Sequence, residues 1–166
     1  QLEQKAFPTS HIPTQSSAVT RSRDEVKLVA YDNFNESIGA YCFEFNLLGF
    51  TGTSQYLFNV NDGSSDNRIT TLISAGGILT AVADGGSFTV FEAEPATILT
   101  PTRIVVNYEP SRVEIFINGV ANDVDVDLTL PTGLTDINIG SNSAEAFQLD
   151  GHLKDLRCYD FILNSH

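Results

Sequence analysis

The sequence predicts an all-β domain: two antiparallel sheets packed face to face as a jelly-roll sandwich, preceded by an extended N-terminal arm. Three observations predict it. Apolar and polar residues alternate with period two over short segments, tight-turn dipeptides separate those segments, and no segment carries the period of an amphipathic helix. A parallel sheet would need helical crossovers of about a dozen residues or more, for which the spacing leaves no room.

Residues 1–24 stand apart. Pro8, Pro13 and the hydroxyl-rich run Thr14, Ser16, Ser17, Thr20 and Ser22 give neither a period nor an apolar face. Each proline removes a backbone donor and keeps the residue before it out of the helical region. This segment is expected to be an extended arm or a linker from a preceding domain, and residues 25–166 the jelly roll. With Gln1 at its start and no Met, the chain is expected to be a fragment or processed product of something longer.

Strands follow from about Glu25. In Ala40-Tyr-Cys-Phe-Glu-Phe-Asn-Leu47, the side chains of Tyr41, Phe43, Phe45 and Leu47 share one face and those of Glu44 and Asn46 the other. Tyr56-Leu-Phe-Asn-Val60 comes next and is broken by the turn Asn61-Asp-Gly-Ser-Ser-Asp-Asn67. Further strands are expected at Arg68–Ser74, Ile78–Ala83, Ser87–Phe91, Arg103–Tyr108, Arg112–Ile117, Asp136–Gly140 and His152–Tyr159. The turns between them carry Gly76-Gly77, Asp84-Gly85-Gly86, Glu109-Pro110-Ser111 and Asn118-Gly119. Asn-Gly is the strongest short hairpin signal, because both residues tolerate positive φ. Phe43, Phe45, Phe58 and Phe116 are expected in the core.

Composition narrows the function. At 166 residues, 42% hydrophobic and 10% aromatic, the chain can bury one substantial core. Its net charge of −12 argues against nucleic acid, whose binding needs a basic surface. The acidity reads either as solubility or as carboxylates for a divalent cation. No apolar run approaches the roughly 18 residues that span a bilayer, so no membrane insertion is expected. Cys42 and Cys158 lie in predicted strands with no metal or redox spacing; they read as buried free thiols or as a bridge between the first and last strands.

Five stretches together resemble the laminin-G-like, concanavalin-A-like jelly-roll domains of bacteriophage virion proteins. Pro8-Thr-Ser-His-Ile-Pro-Thr14 with Ala18-Val-Thr-Arg21 is similar to the linker before that domain. Phe58-Asn-Val-Asn-Asp-Gly-Ser-Ser-Asp-Asn-Arg-Ile69 is similar to its early hairpin, and Val113-Glu-Ile-Phe-Ile-Asn-Gly119 to a strand ending in Asn-Gly. Ile139-Gly-Ser-Asn142 and Leu149-Asp-Gly-His-Leu-Lys-Asp-Leu-Arg-Cys-Tyr159 resemble its closing strand. The resemblance implies a non-enzymatic module on the virion surface, in a tail fibre or a capsid fibre or decoration protein. It further implies attachment to other virion proteins through residues 1–24, adhesion to a cell-surface glycan and a homotrimer. The alternatives are a lectin-like carbohydrate-binding module of a secreted bacterial protein and, behind it, a jelly-roll glycosidase.

Candidate site residues follow from chemistry. Tyr31, beside Asp32 and Asn33 in a loop-like stretch, is the candidate glycan-binding group: an aromatic face for a sugar ring with polar neighbours for its hydroxyls. Tyr56, Tyr108 and Tyr159 are the other tyrosines available for stacking. Asp62, Asp66 and Asn67 crowd oxygen atoms into a Gly-containing turn that could hold calcium, which takes about six to eight oxygens. The competing reading is a turn held by its own Asx side chains, with no cofactor. Asp123, Asp125 and Asp127 at alternate positions would share one strand face, but a retaining glycosidase needs two carboxylates about 5–5.5 Å apart across the scissile bond. All three are short Asp and no Trp is present to form a platform, so no catalytic residue is assigned. His152 is expected to make a structural hydrogen bond where the last strand opens.

Overall fold

A computed structural model describes residues 26–30, 34–50, 52–75, 77–92, 99–125 and 127–163. Its strands are β1 Val26–Val29, β2 Gly39–Leu47, β3 Gln55–Asn61, β4 Arg68–Ser74, β5 Gly77–Asp84 and β6 Ser87–Glu92. They continue as β7 Thr102–Glu109, β8 Arg112–Ile117, β9 Val120–Asp125, β10 Asp136–Ile139 and β11 Gly151–Tyr159. One sheet runs β1-β10-β3-β4-β5-β6 and the other β11-β2-β7-β8-β9, with every pairing antiparallel. The jelly-roll sandwich expected from the alternation is the fold. Among the described residues no helix is long and apolar enough to cross a membrane. The proposed arm, residues 1–24, lies outside the described residues.

Turn chemistry sets the hairpins. Asn118 and Gly119 both take positive φ, 51° and 82°, and join β8 to β9; Gly85 and Gly86, at 56° and 81°, join β5 to β6. Two consecutive left-handed residues give the turn whose twist matches that of the flanking strands. Gly39 is required for a different reason. A Cβ there would collide with the Tyr108 hydroxyl and the Tyr159 carbonyl, so β2 begins where only glycine fits.

The core lies between the sheets. From one sheet come Tyr41, Phe43, Phe45, Ile104, Val106, Tyr108, Val113, Ile115 and Ile117; the other supplies Leu57, Phe58, Val60, Ile69, Ile73, Ile78, Val82 and Ile137. Tyr41 meets Phe58 across the interior with ring centroids 4.5 Å apart, and Phe34 stacks on Tyr108 at 4.9 Å. The buried Tyr41 hydroxyl bonds Thr71 at 2.7 Å, and Thr71 bonds Thr80 at 3.0 Å, so the phenol is satisfied inside the core. Burial raises its pKa above the ordinary tyrosine range.

One expectation needs correction. Phe116 is buried, at 8% exposure, but outside the inter-sheet core. Alternation gives the inner side of β8 to Val113, Ile115 and Ile117, so Phe116 falls on the outward face, opposite Val105 and Ala121. Of the two readings of Cys42 and Cys158, the free-thiol one holds. Cys158 stands opposite the core residue Tyr41, whereas Cys42 stands opposite Arg157. Their side chains therefore leave the sheet on opposite sides.

Two outcomes follow. Phe58→Ala should cost about 3–5 kcal/mol of stability, read as a lower urea midpoint; a loss below about 1 kcal/mol would remove Phe58 from the inter-sheet contact. Burial also pushes the Cys158 thiol up to about 11. Thiolate is the reactive form, so iodoacetamide should label Cys158 slowly at neutral pH and faster as pH rises toward that value. A rate independent of pH would contradict its burial.

Candidate functional site

Of the two expected sites, the structure describes the acidic turn. Tyr31, Asp32 and Asn33 lie outside the described residues. Asp62, Asp66 and Asn67 occupy the turn between β3 and β4, at the end of the six-stranded sheet. There Asp62 Oδ1 accepts bonds from the Ser64 backbone N–H and hydroxyl at 2.9 and 2.6 Å, and Oδ2 accepts from Asn67 Nδ2 at 2.8 Å. Asn67 Oδ1 in turn accepts from the Gly85 N–H at 2.8 Å, and the Asp66 carbonyl from the Gly86 N–H at 2.9 Å. The turn is thus held by its own Asx groups and clipped to the β5–β6 hairpin. A calcium ion would compete with those donors. Among the described residues no group of three or more His, Cys, Asp or Glu side chains gathers where a metal could sit.

The aspartate row also departs from expectation. Asp123 and Asp125 are in register with Glu114 and Arg112 on the edge strand β9, but the strand ends at Asp125. Asp127 is exposed beyond it, so the three do not share one strand. Tyr108 is unavailable for stacking on a sugar because it is buried against Phe34, and its hydroxyl donates to the Asn35 carbonyl at 2.7 Å. His152 is exposed opposite Asn46, and its ring makes no hydrogen bond among the described residues, in place of the structural bond expected.

A different constellation stands out on the outward face of the six-stranded sheet. Register aligns two rows across it. One runs Lys27, Asn138, Asn59, Thr70, Ala81, Val90; the other runs Val29, Asp136, Asn61, Arg68, Ala83, Phe88. Each row is polar on the β10–β3–β4 side and apolar on the β5–β6 side. Asn61 Nδ2 donates to Asn138 Oδ1 at 2.8 Å, and Lys27 meets Asp136 at 3.2 Å. Asn59 points away from the core, since its neighbours Phe58 and Val60 point in. Even so it is fully buried, and neither its Nδ2 nor its Oδ1 has a hydrogen-bond partner; Asn138 Nδ2 is likewise unpaired. Buried amides without partners cost about 1–3 kcal/mol each and call for an explanation.

Along one side of this floor rises an aromatic rim. The Arg68 guanidinium carbon lies 5.9 Å from the Tyr56 ring centroid and 5.1 Å from that of Phe88, and Nη1 donates to the Tyr56 hydroxyl at 3.2 Å. Its Nε is buried and unpaired. Tyr56 in turn contacts Phe147, centroids 6.2 Å apart. Phe88, Val90 and Phe147 are each about half exposed, at 49%, 50% and 51%. Tyr56 was visible as a candidate in the sequence. Arg68, Phe88 and Phe147 were not, because three separate segments supply them.

The family model Laminin_G_3, described as the concanavalin A-like lectin/glucanases superfamily, matches residues 20–166. The chain belongs to this family. Solved structures agree on the fold of this concanavalin A-like domain. The CBM40 of the Ruminococcus gnavus IT-sialidase is 16% identical with a TM-score of 0.66, covering 78% of this chain and 79% of its own. That CBM40 has also been solved bound to alpha2,3 sialyllactose. Domain 4 of AbnA, a GH43 extracellular arabinanase from Geobacillus stearothermophilus in complex with arabinotriose, is 14% identical with a TM-score of 0.66, covering 78% and 64%. Mouse laminin alpha1 domains LG4-5 are 16% identical with a TM-score of 0.62, covering 82% and 38%. No curated protein matches the chain.

The Asp62 turn yields a pH signature. Bonds from the Ser64 hydroxyl and Asn67 hold its carboxyl below the ordinary 3.8. Its contribution to folding is therefore present above the unfolded carboxyl range and lost only as pH falls through the lower folded value. The Asp62 side-chain carbon resonance should still report carboxylate at pH values where exposed Asp residues are already protonated. Titration in step with exposed Asp would refute those bonds.

Proposed function

We propose that this domain is a carbohydrate-binding, lectin-like module whose site is the outward face of the six-stranded sheet. The observation that carries the reading is Arg68, held between the Tyr56 and Phe88 rings with an unpaired Nε, beside half-exposed Phe88 and Phe147. A sugar ring offers an apolar C–H face and a polar edge of hydroxyls. The rim supplies aromatic surface for the first and the guanidinium supplies donors for the second. Relatives of the same fold solved with sialyllactose and with arabinotriose support a glycan as the ligand.

Binding without turnover is the form of this reading. Asp127 lies beyond the end of the strand that carries Asp123 and Asp125, which weighs against the alternating-acid arrangement of a jelly-roll glycosidase. The adhesive half of the sequence expectation is thereby kept. The particle-building half, a phage virion protein attached through residues 1–24 and trimeric, rests on the sequence resemblance and gains no support from the structures named above.

The test is a binding panel with alpha2,3 and alpha2,6 sialyllactose and arabinotriose, measured by calorimetry. At least one should bind the unaltered chain. Arg68→Ala and Phe88→Ala should each weaken it about two- to thirtyfold, with the melting temperature monitored, since a contact to an arginine or an aromatic ring of this kind contributes about 0.5–2 kcal/mol. Affinity unchanged in both variants would overturn the site, and absence of binding across the panel and a wider glycan array would overturn the function.

A further inference from the structure

The outward face of the five-stranded sheet carries a second feature, remote in the fold from the aromatic rim. β11 pairs with β2 from Gly151 to Lys154 and again from Arg157 to Tyr159, with a register shift between. Asp155, inside that shift, takes the left-handed conformation at φ 55°. A bulge of this kind leaves residues unpaired, bends the strand and re-aims its side chains. Beside it lies a cavity of about 220 Å³, lined among others by Cys42, Glu44, Arg103, Val105, Asp155 and Arg157. The lining follows from register. Lys154, Glu44 and Arg103 form one row across β11, β2 and β7, and Arg157, Cys42 and Val105 form the next.

The charges here run against those of the chain. The protein carries −12 and only nine Lys and Arg side chains. Two of the nine, Arg103 and Arg157, line this groove and a third, Lys154, flanks it, against two carboxylates, Glu44 and Asp155. Glu44 is already engaged by Lys154 at 2.8 Å. Tyr159 first, then Asp155, favour the charged form of Arg157. The Arg103 guanidinium is exposed and has no hydrogen-bond or ion-pair partner among the described residues, although its backbone is fixed by Asn118 at 2.9 Å.

We propose that this groove binds a compact carboxylate, received by Arg103 and Arg157. A guanidinium presents a planar fork of N–H donors that matches a carboxylate in two parallel bonds. The volume falls below the roughly 300–1,000 Å³ of pockets for drug-sized ligands, so a terminal group enters and not an extended chain. Glu44 and Asp155, also in the lining, disfavour a dianion more than a monoanion, which selects a monoanionic carboxylate over phosphate. Cys42 and Val105 give the groove an apolar floor.

The test uses the full chain, labelled for NMR, titrated with two carboxylate probes, glucuronic acid and N-acetylglycine. Glucose and inorganic phosphate are the controls. Both carboxylates should move the Cys42, Arg103 and Arg157 resonances, while phosphate binds at least tenfold more weakly and glucose does nothing there. Arg103→Gln should raise the Kd at least tenfold, and Arg103→Lys, which keeps the charge and loses the fork, should fall between. Tighter binding of glucuronic acid would identify an acidic sugar as the source of the carboxylate, and tighter binding of N-acetylglycine a peptide terminus. Phosphate binding as well as the carboxylates, no shift with either probe, or an unchanged Kd in Arg103→Gln would overturn the proposal. Arg68→Ala should leave this titration unaltered, so failure here and failure of the aromatic rim are separable.

Discussion

The contact on which the rest of this structure depends is the meeting of β2 and β3 side chains across the interior, with Tyr41 against Phe58 at its centre. Apolar area removed from water drives that contact, at about 25 cal/mol per Å². The pleat then dictates what remains. Each strand that commits one set of side chains inward must send the alternate set outward. The core therefore consumes half of the sandwich's chemistry and leaves two outer faces, on which any function of the sheets themselves must be built. Tyr41 shows how tightly the inner half is specified: its one polar atom is met by Thr71, which is met in turn by Thr80.

The two outer faces differ because the alternate residues differ. On the six-stranded sheet they are amides, small residues and aromatics with the Lys27–Asp136 pair and Arg68 among them, so that face offers hydrogen bonding beside a hydrophobic rim. On the five-stranded sheet they include Glu44, Arg103, Glu114 and Arg157, so that face is governed by ion pairing, and a bulge in β11 opens space between the pairs. An amphipathic ligand fits the first chemistry and a small anion the second. Neither face borrows a residue from the other.

Much of the fold was legible in residue order. β4 and β8 begin and end where alternation and flanking turns put them, and Phe43, Phe45 and Phe58 are core as their positions require. Phe116 was misplaced because a large apolar residue signals burial without saying on which side of the sheet it is buried; only its neighbours Ile115 and Ile117 decide that. The two cysteines were ambiguous for a related reason, since the face each thiol occupies depends on the register between β2 and β11. The candidate site was barely legible. Arg68, Phe88 and Phe147 come from β4, β6 and the loop before β11, and no local pattern links them.

By itself, then, the sequence determined what short-range physics determines: period-two strands, Asn-Gly and Gly-Gly turns with positive φ, an apolar set large enough for one core, and an acid balance unsuited to nucleic acid. Tertiary structure alone decided which outward residues became neighbours. Cross-strand adjacency is set by pairing order and register, and these join residues such as Asn59 and Asn138, distant in the chain, through backbone hydrogen bonds that carry no side-chain signature.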